Sequence, residues 1–157
     1  MSYKLSNCQR VLMRSQGFTL IELLIAIAII GIIAAVSYPA YQESVLKSHR
    51  GDGKIALTEA ATRQERAYSE SGSYLANSDR SKLVSNSDGK SSPDGYYIIS
   101  VDNTAAVSGC STGGAAPFNC YMLTATPVGV QANDSLCTTL TLNHIGQKGS
   151  TGAGVCW

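Results

Sequence analysis

Five cysteines and one isolated carboxylate are the residues of this chain with the most chemistry to offer. Cys8, Cys110, Cys120, Cys137 and Cys156 could hold a metal, pair as disulfides or supply a nucleophile. Zinc sites draw ligands from cysteines separated by about two to four residues. No two cysteines here stand that close, and His144 is far from His49. No GxSxG elbow is present, and no glycine-rich phosphate loop follows a strand. The reading is therefore a non-enzyme with no metal and no cofactor. Five cysteines in a short chain point instead to disulfides and an oxidising compartment. Cys110, Cys120, Cys137 and Cys156 on their own admit three pairings.

The carboxylate is Glu22, set inside the run 18–36, FTLIELLIAIAIIGIIAAV. Nineteen residues at ~1.5 Å each give a helix of roughly 28 Å, matched to a ~30 Å hydrocarbon core. Lys4, Arg10 and Arg14 precede it with no acidic residue before Glu22, which places the amino end in the cytoplasm. Lys47, Arg50 and Lys54 follow, partly offset by Glu43 and Asp52. A cleaved signal peptide is the rival reading, with Ala34-Ala35-Val36-Ser37 as a weak cut site, but the run is longer than a usual apolar core. A carboxylate at mid-helix costs about 2.5–3.5 kcal/mol in a membrane, less near the interface. Glu22 therefore either snorkels to the headgroups or has a partner.

The elements that must position these residues are legible in outline. Hydrophobic residues make up 44% of the 157 and charged residues 15%, below the ~25% charge of ordinary soluble domains. The net charge of +1, with Lys148 alone basic after Lys90, predicts no nucleic-acid partner. Pro39 is expected to kink or break the apolar helix, with Gly31 adding flexibility. Residues 42–70 read as an amphipathic helix, with Val45, His49, Ala56, Leu57, Ala60, Ala61, Ala67 and Tyr68 recurring at three- and four-residue steps. Gly51-Asp52-Gly53 reads as a soft spot in it, costing up to ~2 kcal/mol of helix propensity. Residues 72–94, rich in Ser, Asn, Asp and Gly, read as a long surface connection. Strands are expected at 96–101, 120–126 and 136–142. A helix covering one face of a three- or four-stranded antiparallel sheet is an α+β fold.

Gly17-Phe18-Thr19-Leu20-Ile21-Glu22 resembles the processing motif of type IV prepilins. The resemblance continues through Gly31, Tyr38-Pro39-Ala40-Tyr41, His49-Arg50 and Gln64-Glu65-Arg66-Ala67-Tyr68, and resumes at Leu140-Thr141-Leu142-Asn143 and Cys156-Trp157. It is strongest to minor pilins of the PilE type. It implies a cytoplasmic leader over 1–17, a transmembrane and filament-core helix over 18–41, and a periplasmic head over 42–157. A prepilin peptidase would cut between Gly17 and Phe18 and methylate the new Phe18 amine. Seventeen residues are long for such a leader, and Met13 is a second start. Glu22 would pair with a neighbouring subunit's terminal amine during assembly. The segment from Gly31 to Pro39 would lose helicity in the filament. Cys137 with Cys156 has the family's position and closes a C-terminal loop, which leaves Cys110 for Cys120. The implied role is a minor pilin supporting pilus assembly, and hence adhesion or twitching. Its partners would be the peptidase, the major pilin, other minor pilins and the inner-membrane assembly platform. A major pilin and a type II secretion pseudopilin are the alternatives. Asn133-Asp134-Ser135 fits a glycosylation pattern that means little in a bacterial protein.

Overall fold

The computed structural model describes residues 17–104, 110 and 115–157. The chain divides into two compact units, one ending at Pro39 and one spanning Ala40–Trp157. A single helix, α1, runs Leu20–Ser71. It passes through Gly31, Pro39 and the Gly51-Asp52-Gly53 stretch without a break. From residue 17 to 44 every residue is exposed. This helix is long and apolar enough to cross a membrane by length and composition.

In the second unit α1 is followed by a short 3-10 helix (Asn77–Lys82) and strand β1 (Tyr97–Asp102). Strand β2 (Met122–Pro127), a second 3-10 helix (Gly129–Asn133), β3 (Thr139–Asn143) and β4 (Lys148–Thr151) complete it. The four strands form one antiparallel sheet in the order β1-β2-β3-β4. Ile99 faces Ala125, Val101 faces Leu123, and Ala125 faces Leu140 across the ladders. Strand side chains alternate between faces, so Tyr97, Ile99, Val101, Leu123, Ala125, Leu140 and Leu142 line one side. All seven are buried, together with Ala56, Leu57 and Ala60 of α1. The small side chains at 53, 56 and 60 let the helix approach the sheet closely.

All three expected strands start later than their sequence signal, β1 by a single residue. β2 begins after Cys120 and Tyr121, and β3 begins after Cys137, because both cysteines are held in disulfides just outside the ladder. The 72–94 connection is also more than surface. Tyr74, Leu83 and Val84 are buried and belong to the core cluster. One helix does not cover the full width of a four-stranded sheet, and this segment supplies the missing apolar cover. Asn77 fixes it by accepting the Val101 amide at 3.1 Å.

Candidate functional site

At the start of α1, Thr19 is placed as the N-cap. Its Oγ1 accepts the Glu22 amide at 3.2 Å, and its carbonyl accepts the Leu23 amide at 3.2 Å. Thr19-Leu20-Ile21-Glu22 is thus a capping-box sequence, with a carboxylate three residues after the cap. The first turn of a helix favours negative charge. Snorkelling and pairing, the two roles that the sequence suggests for Glu22, leave out this local one. The Thr-x-x-Glu spacing is the signal that carries it. Gly17 and Phe18 precede the cap, with Phe18 exposed.

The second cluster lies on α1 where helix propensity alone points only to a soft spot. Arg50 and Asp134 are both buried and form a bidentate ion pair, Nε to Oδ2 at 2.6 Å and Nη2 to Oδ1 at 2.8 Å. Such charge-assisted forks are the strong kind of hydrogen bond. Asp134 Oδ1 also accepts the Cys137 amide at 3.2 Å. Gln131 donates to Asp134 Oδ2, to the Tyr97 hydroxyl and to the Leu46 carbonyl. Burial pushes the Asp134 carboxyl upward, but the Arg50 hydrogen bond and charge, with the Cys137 and Leu136 amides, outweigh it and lower its pKa. The hydrogen bond and charge of Asp134 raise Arg50 in turn, against the effect of burial.

Two residues on, Asp52 holds a different loop. Its carboxylate accepts the Ser92 hydroxyl at 2.5 Å, the Asp94 amide at 3.0 Å and the Tyr96 amide at 3.3 Å. His49 stacks on Tyr96 with ring centroids 3.7 Å apart. A Cβ on Gly53 would stand 3.0–3.1 Å from three carbons of the buried Tyr97 ring. Arg50-Gly51-Asp52-Gly53 is therefore the joint that fastens α1 to the loop before β1 and to the turn between β2 and β3. Farther along, Gln64 clamps Leu75 at both backbone groups, 3.0 Å and 2.7 Å. Glu65 accepts the hydroxyls of Tyr74 and Tyr121. Burial and then the Glu65 charge push Tyr74 up to about 12 and raise Tyr121 as well.

Cys110 is bonded to Cys120 and Cys137 to Cys156. The β2–β3 register places Cys120 beyond the Asn143 end of the ladder, and Cys137 beyond its Ala125 end. The two bridges therefore sit at opposite ends of the sheet. Among the described residues, no three His, Cys, Asp or Glu are grouped to hold a metal.

Known proteins resemble this chain in sequence over much of its length. The family described as "Type IV minor pilin ComP, DNA uptake sequence receptor" matches residues 39–141, and the prokaryotic N-terminal methylation motif matches residues 12–38. The chain belongs to the type IV pilin family. Similar curated pilins include a type IV major alpha-pilin of Moraxella bovis, 54% identical over 48 residues, covering 29% of this chain and 30% of the relative. A fimbrial protein of Neisseria meningitidis is 34% identical over 87 residues (55% and 49%), and EcpC of Eikenella corrodens is 36% identical over 91 (58% and 56%). The matches thus span from under a third to just over half of the relatives' own length. Among solved structures, a type IV pilin from Shewanella oneidensis has a TM-score of 0.42 at 28% identity, covering 71% of this pilin and 97% of that chain. The non-core minor pilin PilV of Neisseria meningitidis has a TM-score of 0.47 at 20% identity, covering 70% and 90%.

Proposed function

We propose that this type IV pilin is a minor pilin, a structural subunit polymerised through α1. One observation carries the reading. From Leu20 to Pro39 the helix is almost wholly apolar and every residue is exposed. So much uncovered apolar surface needs cover from outside the chain. A bilayer supplies it before assembly, and neighbouring helices supply it in a filament. The subunit begins in the inner membrane with its head in the periplasm and ends in an extracellular pilus. Prepilin peptidase cuts between Gly17 and Phe18 and methylates Phe18. The Glu22 carboxylate pairs with the Phe18 amine of a neighbour, and the Gly31–Pro39 segment loosens as the helix packs. Partners are the peptidase, the assembly platform, the major pilin and other minor pilins. The minor assignment follows the matched ComP description. A major pilin is the first alternative, since relatives carry that name, and a type II pseudopilin the second.

Glu22 supplies the test. The capping box tolerates Gln in place of Glu, so Glu22→Gln keeps the local role and removes the charge. Pairing predicts that incorporation into sheared pili, relative to the membrane pool, falls sharply for both Glu22→Gln and Glu22→Leu. A purely local cap predicts an unchanged ratio for Glu22→Gln. N-terminal sequencing of the same samples should read N-methylated Phe18; a start near Ser37 would replace the pilin processing with signal cleavage.

A second reading attaches to the words "DNA uptake sequence receptor" in the matched family's description. Arg63, Arg66 and Lys82 line a surface groove that phosphates could enter. Each already has a carboxylate partner, Glu59, Glu70 and Asp79. The groove thus carries little net charge, and DNA affinity depends on counterions released by unpaired cations. Duplex binding that weakens steeply with salt, and is lost in Arg66→Ala/Lys82→Ala, would move the assignment from subunit to receptor.

A further inference from the structure

We propose that the Arg50–Asp134 pair docks the turn carrying Cys137 onto α1 before its disulfide forms, so that Cys156 closes last onto a partner already in place. Access to the sulfurs comes first. Cys137 is 0% and Cys156 3% exposed. An oxidant cannot reach sulfurs buried to that degree, so the bridge forms in a state where this region is still open. What matters is which half is open.

The bonds around the two cysteines fall into two groups that meet at the Leu136 carbonyl. The segment 131–137 is tied to α1 and β1. Arg50 and the Leu46 carbonyl on α1, and Tyr97 on β1, hold Gln131 and Asp134. Asp134 in turn accepts the Cys137 amide, and its own amide donates to the Gln131 carbonyl. None of these partners lies in the C-terminal segment 147–157. That segment leans the other way. The Gly154 amide donates to the Leu136 carbonyl, and the Trp157 indole donates to the Gly149 carbonyl. The C-terminal segment rests on β3, on Thr138 and on the Leu136 carbonyl, whereas the bonds that hold Gln131, Asp134 and the Cys137 amide need nothing from it. Docking first at 131–137 is the order these bonds permit.

The chemistry balances with an oxidant of the disulfide class, a protein or small-molecule disulfide. Cys156, on the open segment, loses its proton and attacks the oxidant, releasing one thiol and leaving a mixed disulfide. The Cys137 thiolate then attacks the Cys156 sulfur and expels the second oxidant thiol. The cysteine pair gives up two electrons and two protons, and the oxidant takes them up as two thiols. Docking also serves selection. A seated Cys137 is held at the end of the sheet opposite Cys120, which removes the competing pairings that four cysteines otherwise allow.

Two experiments on the full chain in detergent micelles test this. In Cys156→Ser, the Cys137 and Asp134 amides should keep hydrogen-exchange protection within a few-fold of the parent. Exchange at unfolded rates, at those amides alone or with the whole sheet, overturns the proposal, because docking would then depend on the bridge. The second removes the pair as a unit. Arg50→Met/Asp134→Leu replaces both charges with apolar groups, a change that proteins often accept without loss of stability. Starting from reduced chain with oxidised glutathione, formation of Cys137–Cys156 should slow on the order of tenfold, the scale of a charge-assisted hydrogen bond. Trapped intermediates should show Cys137 joined to Cys110 or Cys120. A rate and pairing equal to the parent's would sink the idea. Arg50→Lys, which keeps the charge and loses the fork, should fall between; parental behaviour there and in the double variant alike sinks it equally.

Discussion

Gly51 and Gly53 stand two residues apart on one helix and should respond in opposite ways to the same substitution. At Gly51 a Cβ meets nothing within 4 Å. Gly51→Ala should therefore gain the propensity difference, about 0.8–1 kcal/mol. At Gly53 the added carbon meets three atoms of Tyr97 at 3.0–3.1 Å. That ring cannot step aside, since it is fully buried and its hydroxyl is held by Gln131. Overpacking typically costs about 1–3 kcal/mol, more than the propensity gained, so Gly53→Ala should lower the melting temperature while Gly51→Ala raises it. Two shifts of equal sign would show that the helix, and not its contact with the sheet, sets the response. The stretch Arg50-Gly51-Asp52-Gly53 marks the limit of what a sequence can tell. Helix propensity is local, so Gly51-Asp52-Gly53 reads as weakness. The partners that convert it into a joint, Asp134, Ser92 and Tyr97, lie about 40–85 residues away in the chain and have no local signal. Cys110, Cys120, Cys137 and Cys156 are legible as disulfide-forming because type and number suffice for that. Their pairing comes only through the family resemblance.

Elements are legible where a period repeats and hidden where a single contact decides. The alternation at Leu140 and Leu142 and the three- to four-residue steps through Ala56, Leu57 and Ala60 both point to the faces that are buried. The burial of Tyr74, Leu83 and Val84 within a polar connection has no period to reveal it. At that end of α1 the helix, the connection and the residue just before β2 meet on one carboxylate, Glu65, which accepts both Tyr74 and Tyr121. Burial first, then the Glu65 charge, raises both phenols above their ordinary value, Tyr74 to about 12. A raised folded pKa contributes stability that is complete below the unfolded value near 10 and lost as pH climbs through the folded one. The folded head should accordingly keep these two tyrosines protonated past pH ~11. Absorbance at the tyrosinate band should show their ionisation withheld and then released together with unfolding. Glu65→Gln removes one of the raising charges, so both transitions should move toward lower pH without reaching the ordinary value, because burial persists. Smooth ionisation of every tyrosine near its usual value would rule out the shared contact.

At the scale of the whole chain, the head carries all of its own support. Every buried residue among those described lies between Arg50 and Cys156. The sheet, the core, the Arg50–Asp134 pair and both disulfides fall inside the unit that begins at Ala40. The described residues before it contribute apolar surface and no buried side chain. Apolar burial is the main favourable term in folding, so a chain starting at Ala40 should fold as stably as the same unit does in the full protein. We expect it to be soluble without detergent, to form both bridges, and to melt within a few degrees of the head in the intact chain. Its solubility follows from the loss of the exposed run, whose uncovered apolar side chains otherwise require a membrane or neighbouring helices. The new end should fray over its first turns, because α1 then begins among exposed residues without the Thr19 cap; the unfraying point is fixed by the Arg50 and Asp52 anchors. Exchange protection should therefore rise steeply near residue 50 and not at 40. A truncated chain that aggregates or loses the Cys137–Cys156 bridge would mean that the apolar half of α1 contributes to the head's fold. In that case assembly and folding could not be separated by mutations in the first forty residues.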